Sequence, residues 1–181
     1  MKRLFYCFLM AALMMLAAAS CSKLLDMDDL STGDADGYVD MGLSVKWKNR
    51  NAGAGQPQQI AEYYTFQDMM KNLTNIPTKE QAEELLANCT VKRATLKGNA
   101  GVLLTSKITQ NKIFFPYGGL YNSGKLLKGK DAYFWTKTDE ALQAWFFYFN
   151  QVFHDKEYPD GVQYDISQAT VDLKFNVRQV K

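Results

Sequence analysis

The chain has 181 residues, 21 Lys and Arg against 19 Asp and Glu, and 47% apolar residues. This length allows one domain or two very small ones, and the composition is typical of a globular protein. A net charge of +2 argues against a nucleic-acid-binding protein, which usually carries a basic excess. With one His and three Cys, the chain is poor in zinc ligands and in the parts of a His-based catalytic triad.

The N-terminus has the pattern of a secretory signal. Lys2 and Arg3 precede an uncharged, apolar stretch, and small residues lead directly to Cys21. The apolar stretch is shorter than the roughly 20 residues of a membrane-spanning helix. Because small residues before a Cys resemble a bacterial lipoprotein signal, we predict that residues 1–20 are a signal peptide and that Cys21 carries lipid. An ordinary signal peptide, with Cys21 incidental, is the alternative.

The segment after Cys21 is acidic. Residues 22–37 contain five Asp and one Lys among Ser, Thr and Gly, so residues 21–37 are predicted to form a flexible tether. A lipid on Cys21 would make the membrane a partner, and would place the protein in the outer membrane on the cell-surface or periplasmic side. Cys89 would then be the one remaining thiol, and we predict that it is a small buried apolar residue.

Residues 38–181 are predicted to form one α+β domain, with two short strands at its start, at 37–42 and 45–47. A short helix is predicted from Phe66 to Leu73, with Thr65 as its N-cap.

A second predicted helix begins at Thr78, where Thr78 and Gln81 fit a capping box, and ends near Asn88. Apolar residues at helical spacing form its predicted buried stripe: Ala82, Leu85 and Leu86.

The second half of the chain reads as strands. Ala144–Asn150 is apolar on both faces, which predicts a central strand. Val171–Val177 alternates between apolar and polar residues, which predicts a strand with one face in water. Two helices followed by antiparallel strands indicate an α+β fold. The other predicted strands are 91–96, 102–106, 112–116 and 132–137.

The candidate binding residues are aromatic or lie in a loop rich in Gly and Tyr. Tyr and Trp rings suit sugar stacking and protein recognition, although most aromatic residues of this region are expected in the core. His154 would need a positioned nucleophile to act as a general base, so an enzyme is the least favoured hypothesis. No catalytic residue, metal ligand or cofactor is assigned. The candidates are Tyr117, Tyr121, Lys128, Tyr133 and Trp135, with Tyr148 as a further stacking residue.

Several stretches resemble a known family. Residues 38–47 (YVDMGLSVKW), 76–90 (IPTKEQAEELLANCT), 106–116 and 175–180 (FNVRQV) are similar to the Fibrobacter succinogenes major paralogous domain. That family is common in lipoproteins of Bacteroides and relatives. The resemblance implies a C-type-lectin-like fold and a surface lipoprotein, but no activity. The chain lacks the calcium-binding motifs of lectins with this fold.

The sequence therefore favours a lipid-anchored envelope or cell-surface binding module, without catalysis, whose ligand is a glycan or a protein. The alternative is a structural or accessory subunit of an outer-membrane or fimbrial assembly. That alternative predicts an exposed apolar patch or an open sheet edge.

Overall fold

The computed structural model describes residues 23–152 and 157–181. The predicted signal peptide, the predicted lipidation site at Cys21 and the candidate base His154 lie outside these residues. Within the described ranges, no helix is long and apolar enough to cross a membrane.

The described chain is mixed α+β, with mainly antiparallel sheets and two short helices, which confirms the predicted class. The helices are α1 (Phe66–Asn72) and α2 (Lys79–Asn88). The strands are β1 (Lys23–Leu25), β2 (Tyr38–Val39), β3 (Trp47–Lys48), β4 (Cys89–Leu96), β5 (Asn99–Ser106), β6 (Lys112–Pro116), β7 (Leu120–Asn122), β8 (Lys125–Leu127), β9 (Asp131–Glu140), β10 (Gln143–Gln151) and β11 (Val162–Thr170).

Two larger sheets and two hairpins organise these strands. One sheet has the order β1-β4-β5-β6, and the other has the order β11-β10-β9. The two hairpins are β2-β3 and β7-β8, and only the β1-β4 pairing is parallel among the named strand pairs. The central position of β10 confirms the prediction made from its two apolar faces.

Both helices begin at the predicted caps. The Thr65 side chain accepts the Asp68 N–H, and the Thr78 side chain accepts the Gln81 N–H while the Gln81 side chain accepts the Thr78 N–H. These bonds satisfy donors that a helix leaves unpaired at its first turn. The predicted stripe of α2 is buried.

Cys89 follows α2 as the first residue of β4, and its side chain is buried and unpaired with any other described Cys. Burial raises the pKa of its thiol to about 12. The thiol is therefore protonated and unreactive at neutral pH, which agrees with the predicted structural role.

Two apolar clusters cover opposite faces of the β9-β10 hairpin. The first joins α2 and the β4-β5-β6 strands to one face, and includes Leu85, Phe115, Phe134 and Phe147. The second covers part of the other face, and includes Phe66, Met69, Trp135, Phe146 and Phe175. The second cluster leaves part of that face exposed.

The predicted flexible tether is wrong from Lys23 onward. Lys23 aligns with Ala94 and Leu25 with Leu96, so β1 extends the larger sheet. Leu25 is 2% exposed and packs in a small cluster with Leu96 and Phe114. Acidic side chains of this segment accept main-chain N–H groups at turns. Asp29 accepts the Asp26 N–H, and Asp34 accepts those of Asp36 and Tyr38. A few apolar residues, such as Leu25, are therefore enough to pack this acidic segment against the domain.

The predicted solvent-facing strand at Val171–Val177 is also wrong. This segment forms isolated bridges. Its polar residue Asn176 and the next polar residue, Arg178, are fully buried, and both donate to main-chain carbonyl groups. The last long strand is instead β11, a polar segment at the sheet edge.

Candidate functional site

Four polar or aromatic side chains share the exposed part of the β9-β10 hairpin. The antiparallel register places Tyr133 opposite Tyr148 and Asp131 opposite Asn150. Because alternate residues of a strand point to the same side, all four lie on one face, which we call the tyrosine face. The ring centroids of Tyr133 and Tyr148 are 6.2 Å apart, with 31° between the ring planes. All four residues are partly exposed.

Two contacts hold the ring of Tyr133 in place. It stacks on Phe175, with 5.3 Å between ring centroids and 27° between planes. Its hydroxyl donates to Oδ2 of Asp131 at 3.2 Å. A ring held in this way loses little conformational entropy when a ligand binds to it.

Two oxygen atoms of the tyrosine face have no hydrogen-bond partner. Oδ1 of Asp131 and Oδ1 of Asn150 are both buried, and no described residue donates to either of them. Burial raises the pKa of Asp131, although the hydrogen bond from Tyr133 opposes this effect. A buried acceptor without a donor costs about 1–3 kcal/mol. A ligand that brings hydrogen-bond donors to this end of the face would remove that cost.

A second pair of tyrosines lies close to the tyrosine face. Glu62, Tyr63, Tyr121 and Lys174 line an open depression of about 310 Å³. The rings of Tyr63 and Tyr121 meet edge to face, with centroids 4.9 Å apart. Burial, followed by the charges of Tyr121 and Asp131, raises the pKa of Tyr63 to about 12. The Gly119 N–H donates to the Asp131 carbonyl oxygen at 2.9 Å, and the Tyr63 hydroxyl donates to the carbonyl oxygen of Gly118, so the depression and the tyrosine face are neighbours.

The loop between β6 and β7 positions this depression. The Tyr63 hydroxyl donates to the carbonyl oxygen of Gly118. A Cβ atom at Gly118 would lie 2.6 Å from Oδ1 of Asn176, so only glycine fits there. Tyr121 and Lys174 exchange main-chain hydrogen bonds of 3.0 Å. The loop is therefore fixed to the C-terminal segment.

Three of the five predicted binding residues are accessible. Tyr133 belongs to the tyrosine face, Tyr121 lines the depression, and Lys128 is exposed in the loop before β9.

The prediction that the other two residues, Trp135 and Tyr117, bind a ligand is wrong. Trp135 is 0% exposed, and its indole N–H donates to the Tyr64 carbonyl oxygen at 2.8 Å. Tyr117 is 7% exposed in the main core cluster, where burial raises the pKa of its hydroxyl. Both rings therefore serve packing, and neither can present a face to a ligand.

Asp131, Asn150 and Tyr63 were not predicted. The sequence places each of the first two on the same strand face as a tyrosine two residues away, in Asp131-Ala-Tyr133 and Tyr148-Phe-Asn150, but it does not pair them with each other. Tyr63 gave no such signal, since tertiary contacts alone bring it to the site.

The arrangement can bind a ligand by stacking and by hydrogen bonds. In the ranges 23–152 and 157–181, no group of three or more His, Cys, Asp or Glu side chains is placed to hold a metal ion. Comparisons with family models, with curated proteins and with solved structures found no match. Function is therefore inferred from the residues of the site.

Replacing Asp131 by Asn is expected to stabilise the unliganded protein at neutral pH by about 1 kcal/mol. The variant removes a partly buried charge, and its amide adds donors at the end of the face where Oδ1 of Asp131 and Oδ1 of Asn150 lack them. Because folding raises the pKa of Asp131, the wild type gains stability as the pH falls through that raised value, whereas the variant does not.

Urea unfolding at about pH 7 and about pH 3 would measure this difference, which should shrink at the lower pH. Asp139→Asn, at an exposed position of the same strand, is the control and should have little effect. A less stable D131N protein at neutral pH would contradict the assignment of an unsatisfied acceptor pair.

Proposed function

We propose that the chain is a lipid-anchored envelope or cell-surface binding module, without catalysis, and that its ligand is a glycan held on the tyrosine face. One observation carries the proposal. Two partly exposed tyrosine rings lie side by side, and next to them are two buried oxygen acceptors that no described residue satisfies.

A glycan matches this combination better than a peptide does. The C–H groups of a sugar ring pack against flat aromatic faces, while its hydroxyl groups donate hydrogen bonds at fixed spacing. The acceptors on Asp131 and Asn150 need donors, and one sugar hydroxyl or a pair of them would supply these. The neighbouring depression, with Tyr121 and Lys174, would extend the contact to a second sugar unit.

The proposal includes a C-type-lectin-like fold and membership in the Fibrobacter succinogenes major paralogous domain family. The order of elements supports it, because two short helices precede a run of antiparallel strands. The C-terminus returns to the start of the domain, where Val180 pairs with Trp47 and Lys181 exchanges main-chain hydrogen bonds with Lys46.

The lipid anchor at Cys21 is proposed from the signal pattern that precedes it. Because β1 begins at Lys23, the two intervening peptide steps span at most about 7 Å. A lipid on Cys21 would therefore hold the domain against the membrane surface, without a long spacer.

The second candidate function is a structural or accessory subunit of an outer-membrane or fimbrial assembly. The nine-residue strand β11 favours it, since β11 lies at a sheet edge and pairs only with β10 among the described strands. Against it, the Asp165 side chain accepts the Ile166 N–H. A charged residue that occupies an edge N–H hinders pairing with another strand, so the glycan-binding hypothesis is preferred.

Removing the Tyr148 ring is expected to weaken glycan binding at least about tenfold, because one aromatic stacking contact and its buried area are lost. The measurement compares wild type and Tyr148→Ala on a panel of immobilised glycans. Tyr148→Phe retains the ring and should retain binding, which separates stacking from the hydroxyl.

Leu142→Ala is the matched control, since Leu142 is 81% exposed in the turn before the same strand. Its binding should equal that of wild type. Undiminished binding by Tyr148→Ala, with both proteins folded, would exclude the tyrosine face as the glycan site.

A further inference from the structure

A second pocket lies away from the tyrosine face, where the N-terminal segment crosses the start of β6. Its volume is about 320 Å³. Two cationic side chains, Arg50 and Lys112, are among its lining residues, and both are only partly exposed. Polar and apolar side chains complete the walls, among them Ser31, Asn49, Leu30 and Ile113. We call this the basic pocket.

A buried guanidinium connects two chain segments that contribute residues to the basic pocket. Arg178 is 0% exposed, and it donates to the carbonyl oxygens of Lys48 at 3.1 Å and Phe114 at 2.9 Å. These two residues directly adjoin Asn49 and Ile113 in sequence, and both of those residues line the pocket. The third hydrogen bond of Arg178 goes to Oδ1 of Asn51 at 3.1 Å. All three acceptors are neutral, so the charge of Arg178 is not compensated locally.

Arg50 adds a second guanidinium at this place. Its Nη1 atom donates to Oδ1 of Asn49 at 3.0 Å. A Cβ atom at Gly37 would lie 2.7 Å from that nitrogen, and Gly37 also has φ of +80°, so glycine makes room for the guanidinium. The Arg50 charge contributes, after burial, to the lowered pKa of Arg178 and of Lys48. Arg178 donates to the main chain of Lys48, which is two residues from Arg50, so the three cations Lys48, Arg50 and Arg178 are close together.

The nearby carboxylates are engaged elsewhere. Asp34 lines the pocket, but its Oδ1 atom accepts the main-chain N–H groups of Asp36 and Tyr38, and its Oδ2 atom lies 3.7 Å from Lys181. Asp29, whose pKa is lowered partly by Lys112, accepts from Lys23 and from the Asp26 main chain. Among the described residues, no carboxylate lies within 4 Å of the cationic groups of Arg50, Lys112 or Arg178.

We infer that the basic pocket binds an oxyanion of the phosphate class. A guanidinium offers paired N–H donors that match phosphate oxygens, and Lys112 supplies a point charge. The nearby buried charge of Arg178 adds a favourable potential that solvent screens only weakly. The partly exposed apolar side chains of Met27 and Leu30, which also line the pocket, fit the organic part of a phosphorylated ligand.

Inorganic phosphate is the probe for this site. Thermal unfolding of the chain from residue 22 onward is followed in sodium phosphate and in sodium chloride at matched ionic strength. A ligand that binds only the folded state raises the unfolding midpoint with its concentration. We expect phosphate to raise the midpoint of wild type more than chloride does and more than phosphate raises that of Arg50→Gln, because the general stabilisation by phosphate is the same in both proteins. Arg50→Gln should weaken the apparent phosphate affinity at least about tenfold, as expected for a lost charged hydrogen bond.

Lys71→Gln is the matched control, because it removes one positive charge from an exposed position in the last turn of α1. It should respond to phosphate as wild type does. Lys112→Gln serves as a second test variant if Arg50→Gln is unstable in chloride. Equal midpoint shifts in phosphate and chloride, or an undiminished phosphate response in both pocket variants, would overturn the inference.

Discussion

Replacement of Arg178 by Met is expected to lower the free energy of unfolding by about 3–5 kcal/mol. The guanidinium donates to Lys48, Asn51 and Phe114, and it also stacks over the Phe115 ring at 4.0 Å. Met fills most of the space but leaves three buried acceptors without donors. Arg178 therefore connects the C-terminal segment by hydrogen bonds to residues 48–51 and to Phe114 in β6.

Urea unfolding at neutral pH measures this effect. Arg178→Lys should also be strongly destabilised, because one ammonium group cannot reproduce the three directions of the guanidinium. Arg50→Gln, which changes a partly exposed neighbour, should cost much less. A Met variant within about 1 kcal/mol of wild type would show that the buried hydrogen bonds contribute little.

Replacement of Leu25 by Ala is expected to cost about 3 kcal/mol. Leu25 is 2% exposed and lies against Leu96 and Phe114, so its truncation leaves a cavity. The substitution would weaken the packing of the segment that joins the domain to Cys21, and would allow that segment to detach from the sheet.

The neighbouring residue provides a matched control. Leu24 is 77% exposed, and Leu24→Ala should change stability by less than about 0.5 kcal/mol. Urea unfolding of the two variants, side by side, measures the difference. Equal and small effects would mean that residues 23–25 are a free tether, as the acidic composition had suggested.

Elements whose signals are local could be predicted from sequence. The caps at Thr65 and Thr78 depend on residues three positions away, and the central position of β10 follows from its own two apolar faces. In each case, the residues that determine the element lie within it or beside it.

Elements stabilised by distant contacts were missed. The alternation at Val171–Val177 resembled a strand with a solvent face, but Asn176 donates to carbonyl oxygens more than a hundred residues away in sequence. β11 carries few apolar residues because it lies at a sheet edge, and its pattern is weak for that reason.

In the candidate site too, local signals could be predicted from sequence and contacts between distant residues could not. The aromatic composition of β9 and β10 pointed to Tyr133, whereas burial of Trp135 depends on Tyr64 and Phe66 from another part of the chain. The unsatisfied acceptors arise only when the strand register places Asp131 opposite Asn150. Register is a property of the folded hairpin and was not readable from either strand alone.

The most direct test is a titration of the chain from residue 22 onward with the glycan that binds best on the panel, followed by amide chemical shifts. The proposed function predicts that the largest shifts occur at Asp131, Tyr133, Tyr148 and Asn150, with little change at Arg50. Largest shifts elsewhere in the domain, or no glycan that shifts any of these four residues, would contradict the assignment of the tyrosine face as a glycan-binding site.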